Sequence, residues 1–425
     1  MTPPIKMSGS IERPSAQLAS PTGKAVPLAP DFYAGGVAES DAGPRRAQQE
    51  EPTPVSGRKN VCLISSSRNA TEHRILSKQA VSLVRAGYRV VIIAVHPGDE
   101  NVSGIEIKAV PKFESRFSRI VRATRFVYRE ALRQHADIYH FHNLELIPVG
   151  WLLKFRGKRV IYDVREDTPA DLRDKFWIPR LLRPLIANAV YLVEKLSGQV
   201  FDGIVTTTHH ISERFPKGKT AVVQNFPLLD ETFPADRPYL ERAPVVLFIG
   251  TIDPPRGVLD LVEAMGLLPE TLDARLVIGG KFETPGMEQE ARNKAGWNRT
   301  DYTGWQDREG LLHLLGRARI GVLPFRSAAN LNNAQPIKLF EYMLAGIPVL
   351  ASDLPRQAEI IKDAQCGIVV KPNQPQALAD AIRWLLDHPE EAQAMGARGR
   401  EAVLRNYNWN SQARQLLQLY HKVIG

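Results

Sequence analysis

Residues 332–355, NNAQPIKLFEYMLAGIPVLASDLP, have the pattern of a short helix followed closely by a strand. Pro336 suits the first position of a helix of about three turns, and Gly346 with Pro348 ends that helix. The apolar run at 348–351 then predicts a strand. A helix that leads directly into a strand in this way is typical of an α/β protein.

The same alternation of strand-like and helix-like segments continues through most of the chain. Strands are predicted at 61–64, 90–95, 138–141, 159–162, 204–206, 245–249, 276–278, 321–323 and 348–351. Helical segments between successive strands predict parallel sheets. We therefore expect an α/β fold of two Rossmann-like domains whose parallel sheets face a central cleft.

The chain length of 425 residues fits two domains better than one. Residues 1–57 contain nine prolines and only two aromatic residues, so a disordered tail is predicted there. An N-terminal domain is expected over 58–226, a linker over 227–243 and a C-terminal domain over 244–405. A final helix in 406–425 is expected to return to the N-terminal domain.

The composition, 44% hydrophobic and 24% charged, is that of a soluble globular protein. No apolar run approaches the roughly 18 residues that a membrane span requires, and no secretory signal is recognisable, so we expect a cytoplasmic protein. Cys62 and Cys366 are expected to be buried free thiols rather than a disulfide or a metal site. The net charge of +9 indicates an anionic partner.

A glycine loop follows the strand predicted at 245–249. In GTIDPPRGVLDLVEAM, Gly250 opens the loop, and Arg256 and Gly257 come directly before an amphipathic helix. A helix N-terminus carries about half a positive charge and free backbone donors, and an arginine can form two bonds to one phosphate. A diphosphate would suit this loop, although an ordinary turn between a strand and a helix explains the motif equally well.

Lys338 and Glu341 lie three residues apart near the start of the helix quoted first. They share one face of the helix, where the lysine could contact phosphate and the glutamate could accept hydrogen bonds from ribose hydroxyls. One bound nucleotide would satisfy both side chains. The alternative is a solvent-exposed ion pair, which is common on helices.

The stretch QPIKLFEYMLAGIPVLASDLP resembles the donor-site signature of retaining glycosyltransferase family 4, and VLFIGTIDPPRGVLDLVEAM resembles the phosphate loop of that family. The similarity extends over 60–420 and includes TEHRILSKQAVSLVRAGYRVVII, DIYHFHNLELIPVGWLLK and RVIYDVREDTP. The resemblance implies a GT-B fold, a nucleoside-diphosphate sugar held mainly by the C-terminal domain, an acceptor on the N-terminal domain, and no required metal or other cofactor. No clear Asp-x-Asp metal motif is present.

The resemblance also assigns donor-site residues. Lys338 matches the lysine that contacts the diphosphate, Glu341 the glutamate that binds the ribose, and Arg256 the basic residue before the helix. Two positions depart from the family pattern: Thr251 stands where many members have arginine, and Asn333 where many have a glutamate that contacts the sugar. The full donor-binding set is Gly250, Thr251, Arg256, Gly257, Asn333, Lys338, Leu339 and Glu341.

His140 and His142 lie at the end of the strand predicted at 138–141, and Asn143 is predicted to cap the next helix. Alternate strand positions place both histidines on one face, but no third ligand is evident nearby, and a catalytic zinc site needs three. We therefore predict no metal there. A histidine that contacts the acceptor or the sugar at the cleft is expected instead, with a buried structural histidine as the alternative.

The turn YDVREDTP gathers Asp163, Arg165 and Glu166 directly after the strand at 159–162. Its carboxylates could orient or deprotonate an acceptor hydroxyl, and a plain polar loop is equally compatible with the sequence. Arg165, where related sequences often have histidine, could favour an acidic acceptor. Together with His140 and Asn143, Asp163 and Arg165 make up the expected acceptor side.

Two segments combine basic and apolar residues in the manner of surfaces that rest on anionic lipid. The first runs from Arg116 to Arg133, and the second contains Phe176, Trp177, Arg180 and Arg183. Core-facing helices with solvated charges are the alternative. Nucleic acid is not expected as a partner, because no aromatic stacking platform or recognised binding module accompanies the charge.

These observations predict a glycosyltransferase that moves a sugar from a nucleoside-diphosphate sugar to a lipid-linked or polysaccharide acceptor at the inner face of a bacterial membrane. Retention of the anomeric configuration is implied by the family. The candidate catalytic residues are His142, Glu166, Arg256 and Lys338. A nucleotide-sugar epimerase and a catalytically silent sugar-nucleotide binding protein remain as alternatives.

Overall fold

A computed structural model describes residues 59–111, 119–175, 178–231, 233–234 and 237–425. The predicted tail at 1–57 lies outside the described residues. So do Phe176 and Trp177 of the predicted membrane segment, and Arg116 with the start of the other basic segment. Within the described part of the chain, the strands form two sheets.

The first sheet is almost entirely parallel. Its strands are β1 (Asn60–Asn69), β2 (Arg89–Val95), β3 (Glu100–Val102), β4 (Ile105–Val110), β5 (Ile138–Phe141), β6 (Arg159–Val164), β7 (Gly203–Thr206) and β8 (Thr220–Val222). They lie in the order β3-β4-β2-β1-β5-β6-β7-β8. Among the strands in the described residues, only β3 and β4, at one edge, pair in antiparallel fashion.

The second sheet has parallel pairing throughout. Its strands are β9 (Val245–Ile249), β10 (Arg275–Gly279), β11 (Thr300–Gly304), β12 (Ile320–Leu323), β13 (Val349–Ser352) and β14 (Gly367–Val370). They lie in the order β11-β10-β9-β12-β13-β14. The predicted α/β class with two mainly parallel sheets is therefore confirmed.

Helices connect the strands and cover the sheets. They are α1 (Val81–Arg85), α2 (Thr124–Arg133), α3 (Ile147–Phe155), α4 (Thr168–Asp174), α5 (Arg183–Val200), α6 (His209–Ser212), α7 (Val258–Gly266), α8 (Met287–Arg292), α9 (Arg308–Arg317), α10 (Ala329–Asn332), α11 (Ile337–Leu344), α12 (Pro355–Ala364), α13 (Pro375–Asp387), α14 (Pro389–Arg405) and α15 (Trp409–Ile424). The π-helical turns Arg74–Ala80 and Arg119–Ala123 lead into α1 and α2.

Both faces of the first sheet are buried. Successive side chains of a strand point to opposite faces, so the two faces can be followed along a single strand. In β1, Val61 and Leu63 belong to one core cluster, whereas Cys62 and Ile64 belong to another. A fully apolar strand is the pattern expected for a parallel sheet covered on both sides. Both cysteines are buried and free, as predicted.

The last helix, α15, packs on the first sheet although it follows the second one in sequence. Trp409, Leu416 and Tyr420 share a core cluster with Val61 and Leu63 of β1. The Trp409 indole also donates a 2.9 Å hydrogen bond to Ser82 Oγ. The chain therefore crosses between the sheets twice, at residues 223–244, which we call the connecting segment, and again before α15.

Among the helices of the described residues, none has the length and apolar content that a bilayer span requires.

Candidate active site

Two cavities lie between the sheets, and residues from the N-terminal and C-terminal halves of the chain line each of them. One cavity, of about 490 Å³, is lined by Lys78, Gly250, Thr251, Arg308, Lys338 and Glu341 among others, and we call it the donor cavity after the donor residues expected from the sequence. The other, of about 480 Å³, is lined by Arg165, Glu166, Arg256 and Asn333 among others, and we call it the acceptor cavity after Arg165, one of the residues expected on the acceptor side. Arg74 and Asn225 line both, so the two cavities adjoin.

Helix α11 carries Lys338 into the donor cavity. The helix begins at Ile337 with Pro336 as its N-cap residue, and it has eight residues rather than the expected three turns. The Lys338 side chain is only 6% exposed, so the alternative of a solvent-exposed ion pair is wrong. Its ammonium lies 4.3 Å from the ring centroid of Phe248 and 5.3 Å from that of Phe325.

The Lys338 ammonium has no hydrogen-bond partner among the described residues. Burial lowers the pKa of this group well below its ordinary value of 10.5, and the nearby charge of Arg256 lowers it further. A buried ammonium without a counter-charge is unfavourable. An anion that enters the donor cavity would relieve this cost.

Two glycines of the loop after β9 have positive φ angles and leave no room for a side chain. Gly250 has φ 110°, and a Cβ atom there would lie 2.7 Å from Lys338 Nζ. Gly257, with φ 66°, caps α7, and a Cβ atom there would lie 1.8 Å from the carbonyl oxygen of Pro324. Both positions therefore require glycine, and neighbouring Thr251 lines the donor cavity.

Arg256 lies beside the N-terminus of α7 but lines the acceptor cavity rather than the donor cavity. Its Nε is 3.4 Å from Asp253 Oδ1, and its guanidinium is 5.6 Å from the ring centroid of Phe325. Asn333 lines the same cavity. Leu339 is fully buried in the core and lines neither cavity.

Glu341 is also buried, with 4% exposure, and one of its oxygens accepts a 2.5 Å hydrogen bond from Arg308. Arg308 also forms two bonds to Glu231 of the connecting segment. The sequence analysis missed Arg308 and Glu231. No spacing signal could have identified them, because each lies more than 30 residues from Glu341.

His140 and His142 are buried and line neither cavity. Instead they face Asp163, whose Oδ2 is 3.7 Å from His140 Nε2 and 3.3 Å from His142 Nδ1. The expectation of no third potential ligand is therefore wrong, since ligand atoms of the three side chains lie within 4.8 Å of one another. However, Arg74 donates to both Asp163 oxygens and Gln79 donates to one.

This cluster is better described as a buried ion-pair network than as a metal site, because the Arg74 guanidinium already pairs with the Asp163 carboxylate. Burial alone would raise the pKa of Asp163, but Arg74 and the two histidines hold it well below the ordinary value. Burial lowers the pKa of His142 to about 4, against the opposing effect of Asp163. His142 is therefore neutral at physiological pH.

Asn143 does not cap a helix with its side chain, which corrects the sequence prediction. Its amide oxygen accepts hydrogen bonds from Ser65 Oγ and the Ser66 backbone, and its amide nitrogen donates to Ser67. These bonds tie the end of β5 to the end of β1. The Asn143 side chain therefore bonds to Ser65–Ser67 instead of to the backbone N–H groups at the start of the next helix.

The residues that follow β6 line the acceptor cavity, and two of them form ion pairs with residues of the N-terminal segment around β1. Arg165 bonds Glu72 through two guanidinium nitrogens, and the largely exposed Glu166 pairs with Arg68 at 3.0 Å. Arg165 is thus neutralised by a neighbour, which weakens the argument that it selects an acidic acceptor. Asp163 itself is fully buried and does not reach the cavity.

Of the predicted membrane residues, Arg180 is exposed, whereas Arg183 donates a 2.8 Å hydrogen bond to the carbonyl oxygen of Ile178. The exposed apolar side chains of this region lie mostly further along, on α5. They include Leu181, Leu185, Leu192, Leu196 and Val200.

Residues 230–402 match the family model for glycosyl transferases group 1. Over 189 residues the chain is 32% identical to a phosphatidyl-myo-inositol mannosyltransferase of Mycobacterium leprae, an alignment that covers 44% of this chain and 48% of that protein. The chain thus spans about half the length of this relative. These matches confirm the resemblance to glycosyltransferases that the motifs indicated.

Solved structures align with most of this chain. A sucrose-phosphate synthase of Thermosynechococcus elongatus aligns with a TM-score of 0.69 at 19% identity, over 86% of this chain and 99% of that one. An Anabaena protein solved in complex with UDP-glucose aligns with a TM-score of 0.66 at 11% identity, over 86% and 100%. The fold is therefore GT-B, as expected from the sequence.

Proposed function

We propose that this chain, which has the GT-B fold and carries the glycosyl transferases group 1 domain in residues 230–402, is a glycosyltransferase that uses a nucleoside-diphosphate sugar. The observation that carries the proposal is Lys338, a buried lysine whose side-chain nitrogen has no hydrogen-bond partner among the described residues and lies at the wall of a cavity between two sheets. A donor diphosphate supplies the missing negative charge. Glu341 then accepts hydrogen bonds from the donor ribose.

In this account catalysis comes from positive charge placed where the leaving group develops negative charge. The bond between the anomeric carbon and the β-phosphate oxygen breaks, and the acceptor oxygen takes its place with retention of configuration. The acceptor proton passes to the departing phosphate. Lys338 contacts that phosphate in the donor cavity, and Arg256 with the N-terminus of α7 stabilises it from the adjoining cavity, so the reaction needs no divalent metal or other cofactor.

The acceptor side follows from the second cavity. Glu166 is its most exposed carboxylate among those the sequence singled out, and it can orient an acceptor hydroxyl. His142 acts indirectly in this scheme, because it is buried behind the cavity wall residues and supports Asp163 and Arg74. A lipid-linked or polysaccharide acceptor and a UDP-sugar donor are the first candidates, following the mannosyltransferase relative and the Anabaena complex.

We further propose that the protein docks on an anionic membrane surface from the cytoplasm through α5. Its outward face carries Leu185, Leu192 and Leu196, which are 66%, 54% and 51% exposed. The only acidic residue of the helix, Glu194, is buried. Within α5, which the structure describes in full, no exposed carboxylate therefore opposes lipid phosphate on that face.

A basic surface accompanies this apolar face. Arg122, Arg125 and Arg129 are exposed along α2 and the turn before it. Phe155, 86% exposed, ends α3, which packs against α5, and the neighbouring Arg156 lies 5.3 Å from the Tyr128 ring of α2. Apolar side chains flanked by arginines match the chemistry of an anionic bilayer surface.

The proposed reaction is tested by incubating the protein with UDP-, GDP- and ADP-sugars and candidate acceptors in the presence of EDTA. Acceptor-dependent release of the nucleoside diphosphate is expected without added metal. Replacing Lys338 with alanine should lower kcat/KM by about ten- to a hundredfold, as for loss of a charged hydrogen bond, with an unchanged circular dichroism spectrum.

The other outcomes of that assay contradict the proposal. Activity that appears only with added magnesium or manganese would overturn the metal-free scheme. Interconversion of the sugar without an acceptor would identify an epimerase, and tight donor binding without turnover would identify a binding protein.

A further inference from the structure

Arg308 joins three separate parts of the chain at the donor cavity. It is the first residue of α9, and its Nε donates a 2.8 Å hydrogen bond to Glu231 of the connecting segment. A second nitrogen bonds the other Glu231 oxygen, and a third donates to Glu341 Oε1 at 2.5 Å. The guanidinium fork therefore holds two carboxylates at once.

Within the described residues, Arg308 is the only side chain that forms a hydrogen bond or ion pair with the Glu341 carboxylate. The second Glu341 oxygen is left to accept bonds from a ligand in the cavity that both residues line. Although burial opposes the charged form, Glu341 and Glu231 raise the pKa of Arg308 above its ordinary value. The fork thus stays charged at every pH at which the protein is folded.

We propose that Arg308 is a positioning residue for donor recognition: it fixes the Glu341 carboxylate for the ribose hydroxyls and links it, through Glu231, to the segment between the sheets. This inference rests on the proposed function, in which Glu341 binds ribose. A planar fork restricts both the position and the rotation of the carboxylates that it bonds. Without the Arg308 guanidinium, the carboxylates of Glu341 and Glu231 would repel each other in a partly buried site, and Glu341 would rotate out of its position.

The experiment measures dissociation constants by titration calorimetry. The probes are UDP, GDP and ADP, followed by the 2′-deoxy and 3′-deoxy forms of whichever binds best. The proteins are wild type, Glu341→Gln, Arg308→Gln, Arg308→Lys and Glu231→Gln. The matched control is Arg275→Gln, because Arg275 forms the same two-pronged contact with Asp301 far from the cavity.

Wild type and Arg275→Gln should prefer the ribonucleotide over its deoxy forms by roughly tenfold or more. Glu341→Gln and Arg308→Gln should lose most of that preference, and Glu231→Gln should lose part of it. Arg308→Lys should restore only a fraction, because lysine cannot form the fork. A merely structural role would change thermal stability but leave the ratio of the two constants unaltered.

Two results separate this inference from the proposed function. A normal preference in Arg308→Gln and Arg308→Lys, together with a lost preference in Glu341→Gln, would overturn the positioning role while leaving the donor site intact. A normal preference in Glu341→Gln, or no nucleotide binding by wild type, would instead contradict the proposed function. If Arg308→Gln fails to fold, Arg308→Lys and Glu231→Gln give the same comparison.

Discussion

Lys338 stands in surroundings that a protein interior rarely gives to an ammonium group. Two aromatic rings face it, Arg256 is near, and no carboxylate bonds it among the described residues. Ring faces compensate only part of the lost hydration. In the absence of ligand, the wild-type side chain therefore lowers the stability of the folded state, and a diphosphate reverses this effect.

Replacing Lys338 with methionine should raise the free energy of unfolding of the ligand-free protein by about 1 to 3 kcal/mol near neutral pH. Because the folded-state pKa is lowered, the unfolded chain binds more protons, and wild-type stability rises with pH up to the ordinary lysine value. The advantage of the variant should therefore shrink as pH rises. Urea unfolding over a pH series measures this.

The control for that series is Lys362→Met, since Lys362 is 65% exposed in the same domain. Its stability should stay within about 0.5 kcal/mol of wild type at each pH. A Lys338→Met protein that is less stable than wild type, or an advantage that grows with pH, would show that Lys338 has a partner in solution.

Motifs identified Lys338 and Glu341 as candidate site residues, but they could not reveal the surroundings of either. The isolation of Lys338 depends on Phe248 of β9 and on Phe325 after β12, which approach only when the second sheet forms. Asp163 lies about twenty residues from His142 and becomes its neighbour because β5 and β6 pair. Such contacts are set by strand register and leave no local sequence pattern.

At the scale of elements, buried strands were predictable and peripheral strands were not. All nine predicted strands are present, because long apolar runs between helical segments are the pattern of covered parallel strands. Five strands of the described residues were missed: β3, β8, β11 and β14 are the edge strands of the two sheets, and β4 lies next to an edge. β3 and β8 have three residues each, and β11, TDYTG, is mostly polar. Their pairing depends on neighbours already in the sheet, which the local sequence does not indicate.

The exposed leucines of helix α5 are predicted to bind the membrane surface. Replacing Leu185, Leu192 and Leu196 with glutamine should lower partitioning onto anionic liposomes by at least about tenfold, since buried leucines each contribute favourable free energy. High salt should weaken binding of both proteins by screening the arginines. Liposome flotation measures the bound fraction.

The matched control replaces three other leucines with glutamine. They are Leu240, Leu267 and Leu404, which are 46%, 47% and 47% exposed and lie outside α5. That protein should float like wild type. Equal recovery of all three proteins, or wild-type binding that is the same on neutral and anionic vesicles, would remove α5 from the account.

At the scale of the whole molecule, the donor cavity exists only because the two sheets meet. Lys78 and Arg74 come from the π-helical turn after β1, whereas Lys338 and Glu341 come from α11 beyond β12. The connecting segment contributes Asn225, which accepts a hydrogen bond from Lys78, and Glu231. The sequence motifs predicted a nucleotide-sugar donor held mainly by the C-terminal half. No motif indicated that side chains of the N-terminal half also line the donor cavity.

The most direct test of the central claim is a crystal structure with the nucleoside diphosphate that binds best among UDP, GDP and ADP. A phosphate oxygen is expected within about 3 Å of Lys338 Nζ, as in charge-assisted hydrogen bonds, with a ribose hydroxyl on the Glu341 oxygen that Arg308 does not bond. A nucleotide bound outside the donor cavity, or a diphosphate inside it that leaves Lys338 without a partner, would contradict the account.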